Sequence, residues 1–335
     1  EKSAIMTDTE LEQALLTLLA DGAAHTEREL VERLSAEPVT LAQAVRALRD
    51  LGLEPRALPE DGGYRLAEPL ELLDRQRIAA GLSDDTRTRL SRLEVYPLLD
   101  STNTYLLARA GEEWPSGAVC LAERQQAGRG RLGRSWVSPF GAGLFGSLLW
   151  RFDGQPAGLS GLSLATGIAV ARSLRALGVT EVGLKWPNDV LWRERKLGGI
   201  LLESGASAGT LHVVAGIGLN VALPRQAALA IDQPWVDLRE ILGNGEVSRN
   251  RLAALLINEL VEIFGRFEQG GFADLAQEWA GFDLMAGRRV RLRLPNAAVT
   301  GIVRGVDASG ALLLESADGR VNTYLGGEIG LRLEQ

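Results

Sequence analysis

Glycine alternates with arginine in Gln125-Gln126-Ala127-Gly128-Arg129-Gly130-Arg131-Leu132-Gly133-Arg134-Ser135-Trp136. Neither helix nor strand favours that pattern. Glycine is costly inside regular elements and suits places where backbone bends sharply or approaches a ligand closely. The three guanidiniums are permanently charged planar forks suited to carboxylate or phosphate. The segment therefore reads as a lid that orders around an anion, with Trp136 and Pro139-Phe140 supplying an apolar wall directly after it. A nucleic-acid contact of the arginine–glycine kind would need repeats and interleaved aromatics, which are missing here.

A second stretch, Lys185-Trp186-Pro187-Asn188-Asp189, lies between two strand candidates, and Lys196 begins the apolar run Leu197–Leu202 that follows. A turn from Trp192 to Lys196 would bring this lysine back alongside Asp189, and a lysine entering an apolar strand calls for an anion. Asp100-Ser101-Thr102-Asn103-Thr104 precedes a helical run. Taken alone it is best read as an N-cap cluster, although its hydroxyls and amide could also line a polar pocket for a neutral ligand. Gly216-Ile217-Gly218-Leu219-Asn220 ends a long apolar strand, where the two glycines would let backbone press flat against a ring; GxGxN is not the dinucleotide fingerprint. No GxxxxGK[ST] loop occurs in the chain, so a nucleotide would need another cradle. His25, His212 and Cys120 read as structural residues, and so few thiols and imidazoles make a zinc site untenable.

These paired loops, together with the Asp100–Asn103 motif, resemble the bacterial biotin–protein ligases, most closely the bifunctional type that also represses the biotin operon. The resemblance runs from about residue 10 to the C-terminus. It implies ATP-dependent biotinylation of a lysine on the biotin carboxyl carrier subunit of acetyl-CoA carboxylase through biotinyl-5′-AMP. Ser101, Thr102 and Asn103 would bond the ureido head of biotin, with a further contact from Gln125. Arg129, Gly130 and Arg131 would close over biotin and phosphate, and Lys196 would bind the biotin carboxylate and α-phosphate. Asn188 and Asp189 would organise phosphates and a transient magnesium ion, with Asn220 beside the nucleotide and Trp235 stacked on adenine. ATP with Mg2+, and biotin, would enter as substrates, with no permanently bound cofactor. The regulatory half implies a homodimer formed around biotinyl-AMP and a partner in biotin operator DNA.

The elements that must position these residues are legible in outline. Leucines at helical spacing before Asp21-Gly22, a Thr26–Glu29 capping box, and a helix after Glu37-Pro38 give three helices; Leu53–Leu58 and Tyr64–Leu66 around Pro59–Gly63 give a hairpin. That order is a winged helix-turn-helix over residues 1–68, with Gln43, Arg46 and Arg49 on the outer face of the recognition helix. Residues 69–92 connect it, through a single helix, to a central α+β domain over 93–284. There, mixed strands and helices argue an α+β sheet domain rather than a doubly wound sheet, and the resemblance implies a ligase domain of the class II synthetase-like kind. Short strands from Arg288 to Leu333 suggest an SH3-like barrel over 285–335.

The 335 residues, 46% apolar and 24% charged, suit a globular protein of about two domains. No apolar run is long enough for a membrane span, the start lacks a signal-peptide pattern, Met6 is read as the native start, and one cysteine fits a reducing cytoplasm. Net charge is −7, and residues 1–70 hold 14 acidic against 7 basic side chains. A DNA-binding domain ordinarily carries the opposite sign. The recognition helix also begins Glu37-Pro38-Val39, where the ligase–repressors are more basic. A ligase with a degenerate DNA-binding domain, a biotin sensor without catalysis, and a lipoate-attaching enzyme are the alternatives. The Ser101–Asn103 and Gln125 set speaks against the last.

Overall fold

The computed structural model describes residues 7–59, 62–112, 114–152, 159–207, 210–243, 247–294, 297–325 and 330–333. Three helices come first: α1 (Asp8–Leu19), α2 (Glu27–Leu34) and α3 (Pro38–Asp50). Thr7 and Glu10 form a reciprocal capping box on α1. Thr26 accepts from Glu29 N–H at α2, but the Glu29 carboxylate turns to His25 and Arg33, so only half of the expected box forms. Proline at the first position of α3 needs no N–H partner, and Glu37 caps nothing. The apolar stripes of the three helices meet in one core around Leu15, Leu19, Leu30, Leu41 and Leu48.

The hairpin forms as β2 (Arg56–Ala57) and β3 (Gly63–Arg65), and β1 (His25–Thr26) adds to it in the order β1-β3-β2. Two residues carry no periodicity, and β1 had no sequence signal. Residues 60 and 61 of the turn, Ile329 of the last expected strand and Met6 lie outside the described residues. The connecting segment holds two short helices, α4 (Arg75–Ala80) and α5 (Asp84–Arg89), where one was expected. Gly81 ends the first and the Ser83 hydroxyl caps the second.

The centre is a seven-stranded mixed sheet. Its strands are β4 (Arg92–Leu99), β5 (Ala118–Gln125), β6 (Gly143–Phe152), β7 (Val182–Lys185), β8 (Asp189–Trp192), β9 (Arg195–Ser207) and β10 (Thr210–Asn220), in the order β4-β5-β6-β10-β9-β8-β7. Among these strands, as far as the described residues go, only the β4–β5 pair is parallel. The period-2 alternation decides which face each side chain serves. Val119, Leu121 and Leu148 join the large core beneath α7 (Leu159–Ala176) and α10 (Arg249–Gly270), while Ala118, Cys120 and Leu149 join a smaller one beneath α6 (Thr102–Gly111). Short helices α8 (Arg225–Ala228) and α9 (Leu238–Ile241) follow β10, and α11 (Ala276–Ala280) follows a 3-10 turn after α10. Backbone of Phe282 and Leu284 bonds to Leu184 on β7, covering that edge of the sheet.

The tail is a five-stranded antiparallel sheet, β11 (Arg289–Arg293), β12 (Ala298–Val306), β13 (Leu312–Glu315), β14 (Val321–Tyr324) and β15 (Gly330–Leu333), in the order β14-β13-β12-β11-β15. Val290, Leu292 and Leu314 belong to the same core as the central sheet.

A buried ion pair fixes the connecting segment to the centre. Arg249 Nη1 lies 2.7 Å from Glu123 Oε2, and both side chains are almost fully buried. The other Glu123 oxygen accepts from Leu73 N–H, Arg249 donates to the Glu71 carbonyl, and Asn250 holds Asp74 N–H and the Leu72 carbonyl. The Glu123 carboxylate, the Arg249 guanidinium and the Asn250 amide of this knot all have partners, as polar groups away from water require.

Candidate functional site

One cavity of about 580 Å3 brings together the Ser101–Asn103 cluster, the arginine loop, the Lys185–Asp189 turn, Lys196, and the Ile231–Trp235 segment. At its polar end Ser101 caps α6, its hydroxyl accepting from Thr104 N–H, and Ser101, Thr102 and Asn103 are all buried. The helix cap anticipated from sequence is therefore real, and it also lines the cavity.

Asn103 packs against Gly216, where a Cβ would collide with its carboxamide. Its Nδ2 donates to the Leu201 carbonyl at 3.2 Å and to Glu203 Oε2 at 2.8 Å, while Ser147 Oγ stands 2.6 Å from Oδ1. Those partners fix which end of the amide is which. They leave Oδ1 a second lone pair for an incoming N–H. Gln125 Oε1 accepts from Thr102 N–H at 2.9 Å and its Nε2 donates to Ser138 at 3.3 Å, leaving one amide hydrogen unassigned. This end can accept and donate at once, as a small neutral polar head requires.

Trp136 forms the floor between the two ends. Its indole lies against Gly218 and Gly199, and its buried Nε1 has no partner. The glycines of the Gly216–Asn220 segment thus do meet a flat group, but it is the chain's own: Gly216 meets an amide and Gly218 the Trp136 ring.

The far end is cationic. Lys185 and Asp189 face each other in the β7–β8 hairpin, which turns through a cis Trp186–Pro187 bond. Arg193 and Glu194 both take left-handed backbone and return β9 so that Lys196 pairs with Leu191. The two ammonium groups then clasp one carboxylate, Lys185 Nζ at 2.6 Å and Lys196 Nζ at 2.7 Å from separate Asp189 oxygens. Burial pushes the Asp189 carboxyl up, but the two lysines outweigh it and hold it below the usual carboxylate range. Lys196 Nζ also stands 5.5 Å from the centre of the Trp136 ring.

Arg131 donates to Asn188 Oδ1 at 3.3 Å, and its other terminal nitrogen is buried without a partner. Desolvation lowers its pKa, with Asp189 opposing, yet a guanidinium remains charged. Two lysines and Arg131 against one carboxylate leave a surplus of positive charge beside an unmet donor. Such an end suits an anion.

Arg129 is placed differently from the expectation. It donates to Thr104 Oγ1 at 2.9 Å and to Glu203 at 3.3 Å, on the polar side of the cavity. The arginine loop is folded on itself: Arg129 bridges Ser135, Gly130 N–H donates to the Arg134 carbonyl, and Leu132 at the tip has positive φ. Asn188 and Asn220 line the cavity, but their amide nitrogens go to backbone carbonyls of Ile200 and of Lys196 and Val236. Trp235 is half-buried, and its segment pairs with Lys196. Among the described residues no group of three or more His, Cys, Asp or Glu could hold a metal ion. Asp189, the expected magnesium organiser, has both oxygens taken by lysines.

Gln43, Arg46 and Arg49 are exposed on α3, remote in sequence and absent from the cavity lining; Arg49 donates to the Pro55 carbonyl. Cys120 is buried with its thiol pushed up by desolvation, and His25 is buried between Asp21 and Glu29. Sequence reasoning gave no role to Lys185, Ser147 or Glu203. Ser147 did leave a trace, a hydroxyl inside a buried apolar strand. Both ends of the site lie along β9, Lys196 near its start and Leu201 and Glu203 further on.

Two family models match the chain: the biotin/lipoate A/B protein ligase family over residues 95–220, and the biotin protein ligase C-terminal domain over 286–332. The bifunctional ligase/repressor BirA of Salmonella typhimurium is 43% identical over 98% of this chain and 99% of its own length. The biotin–[acetyl-CoA-carboxylase] ligase of Mycobacterium tuberculosis is 39% identical over 72% of this chain and 90% of its own. Among solved structures, the biotin protein ligase from Aquifex aeolicus in complex with biotin and ATP superposes with a TM-score of 0.60 at 30% identity, over 73% of this chain and 99% of that one.

Proposed function

The chain belongs to the biotin–protein ligase family, and we infer that it joins biotin to a carrier-protein lysine through biotinyl-5′-AMP. One observation carries this reading: a single cavity has a neutral hydrogen-bonding end and a cationic end with an unmet Arg131 donor. In the first step the biotin carboxylate attacks the α-phosphorus of MgATP and pyrophosphate leaves. In the second, a lysine amine attacks the carboxyl carbon of the mixed anhydride, loses a proton, and AMP leaves. No protein nucleophile is needed, so the site's contribution is placement and fixed charge.

Asn103, held by Ser147 and Glu203, would accept from a ureido N–H, and Gln125 and the Ser101 and Thr102 hydroxyls would meet the ureido carbonyl. Lys196 and Lys185 would neutralise carboxylate and α-phosphate, with Arg131 over the phosphate. Arg129 would swing from Glu203 to cover biotin, and Gly130 leaves room for that closure. Magnesium would arrive on ATP and be held chiefly by phosphate oxygens; Asp189 would help only where a lysine moves to substrate. Asn188 and Asn220 would brace the nucleotide's surroundings and Trp235 would stack on adenine. Biotin-dependent exchange of labelled pyrophosphate into ATP tests the reading. Exchange that requires biotin and fails with lipoate supports it, and none with either acid from folded protein removes it.

Residues 1–68 would be a winged helix-turn-helix, 69–92 the connection, 93–284 the catalytic domain and 285–335 an SH3-like barrel. The carrier would be the acetyl-CoA carboxylase subunit, in the cytoplasm. Repression would use Gln43, Arg46 and Arg49 of α3 in a biotinyl-AMP-bound homodimer on operator DNA. The uncapped Glu37 and exposed Val39 at the start of α3 favour a second reading, ligation without repression. A gel shift on biotin-operon DNA with and without biotinyl-AMP separates the two, since only the first predicts retardation.

A further inference from the structure

Phe140 is 7% exposed, yet it is not packed in the core of the sheet domain to which its sequence belongs. It sits in the core of the N-terminal three-helix unit, with Leu70 and Leu72 of the connecting segment packed against the same cluster. Gly141 beside it has positive φ and is so close to Leu70 that a side chain there would collide. On the other side of Phe140, four residues lead back to the cavity. Ser138 takes the Gln125 amide and donates to the Trp136 carbonyl, and Trp136 N–H donates to the Gly128 carbonyl at the root of the arginine loop. Neighbouring Arg124, one residue before Gln125, donates to the Asp50 carbonyl at the end of α3.

We propose that Phe140 is a positioning residue for the ligand site: anchored in the N-terminal core, it fixes the Trp136–Ser138 segment and with it the floor of the cavity and the base of the arginine loop. The proposal rests on the ligase reading above. The segment has no strand or helix ladder of its own, and beyond the backbone bond from Trp136 to Gly128 its anchors are side chains. Trp136 presses on two glycines and cannot set its own depth without a fixed end. Phe140 supplies that end at a distance of roughly 13 Å of extended chain. The helical unit is then part of the enzyme's binding apparatus, whatever it does with DNA.

The test is a set of full-length variants assayed by biotin-dependent pyrophosphate exchange, with thermal melting measured alongside. Phe140→Ala is expected to raise the KM for biotin about tenfold or more, a loss of uniform binding, while the rate at saturating biotin and the KM for ATP change little. Phe140→Leu, which keeps an apolar anchor, should restore most of the biotin KM. Arg124→Ala, which removes the hydrogen bond to Asp50 and leaves Phe140 in place, should shift the biotin KM in the same direction by a smaller factor and secures the test if Phe140→Ala does not fold. A lowered melting temperature with an unchanged biotin KM in the folded variants overturns the proposal. So does an equal rise in both substrate KM values. Absence of exchange in the parent protein would instead sink the ligase reading, so the two failures are distinguishable.

Discussion

Replacing Gly218 with alanine probes how closely the Trp136 floor is fitted. A Cβ at that position would stand 2.6, 2.7 and 3.0 Å from Cε2, Nε1 and Cζ2 of the indole. Carbon atoms rest comfortably at about 3.5–4.0 Å, so the ring has to retreat by about 0.9 Å. It retreats into the cavity, because Gly218 belongs to the sheet beneath it. Overpacking of this kind costs about 1–3 kcal/mol, and if that strain is released only by giving up ligand contacts, biotin affinity falls by about five- to more than a hundredfold. Gly199→Ala is the internal comparison: its Cβ would meet Trp136 Cζ3 at 3.2 Å, a retreat of only about 0.3 Å. Isothermal titration with biotin and half-saturation in pyrophosphate exchange should both rank parent, Gly199→Ala and Gly218→Ala in order of weakening affinity. Unchanged biotin affinity in Gly218→Ala, in a protein that melts cooperatively, refutes the reasoning that this ring bounds the biotin site.

Asp189→Asn strands two lysines without their counter-ion and should cost about 3 kcal/mol of stability at neutral pH, read by denaturant unfolding. Because the folded carboxyl lies below its unfolded value, that advantage is complete above about pH 5 and fades as the pH falls below about 4, so parent and variant should converge in acid. Arg131→Ala removes the unmet donor and should release biotinyl-AMP into solution, visible as adenylate in the filtrate after a single turnover; intermediate retained as in the parent protein counts against the lid. Glu123→Gln leaves Arg249 buried without its carboxylate and should cost about 3–5 kcal/mol, whereas pyrophosphate exchange at low temperature should persist because neither residue lines the cavity. Equal melting of Glu123→Gln and parent would show that the knot is not needed for stability.

Much of the site was legible because local chemistry betrayed it. Alternating Gly and Arg has no place in a ladder, and Lys196 entering an apolar run calls for an anion, here Asp189. The Ser101 cluster illustrates the limit: a cap and a pocket have the same sequence, and only burial over Gly216 tells them apart. Lys185 was part of a noticed motif but had no role until the hairpin register set it opposite Asp189. Ser147 and Glu203 act on Asn103 across more than forty and about a hundred positions, a relation with no period to read. The same holds for β1, which exists only because β3 pairs with it, and for Phe140, since Leu144 four residues on belongs to another core. The single helix expected in 69–92 failed for a smaller reason, a Gly81 stop followed at once by a Ser83 cap.

The run of β9 past both ends of the cavity makes that strand a ruler. Lys196 and Leu201 are five residues apart on it, about 17 Å of strand, and the graduations cannot be adjusted singly. Inserting or deleting one residue between them would reverse the face of every side chain beyond the change. On the ligase reading, the sheet would set the length of acid the cavity accepts, and adapting the pocket to longer or shorter chains would mean altering what reaches in from the loops, with the strand left as it is.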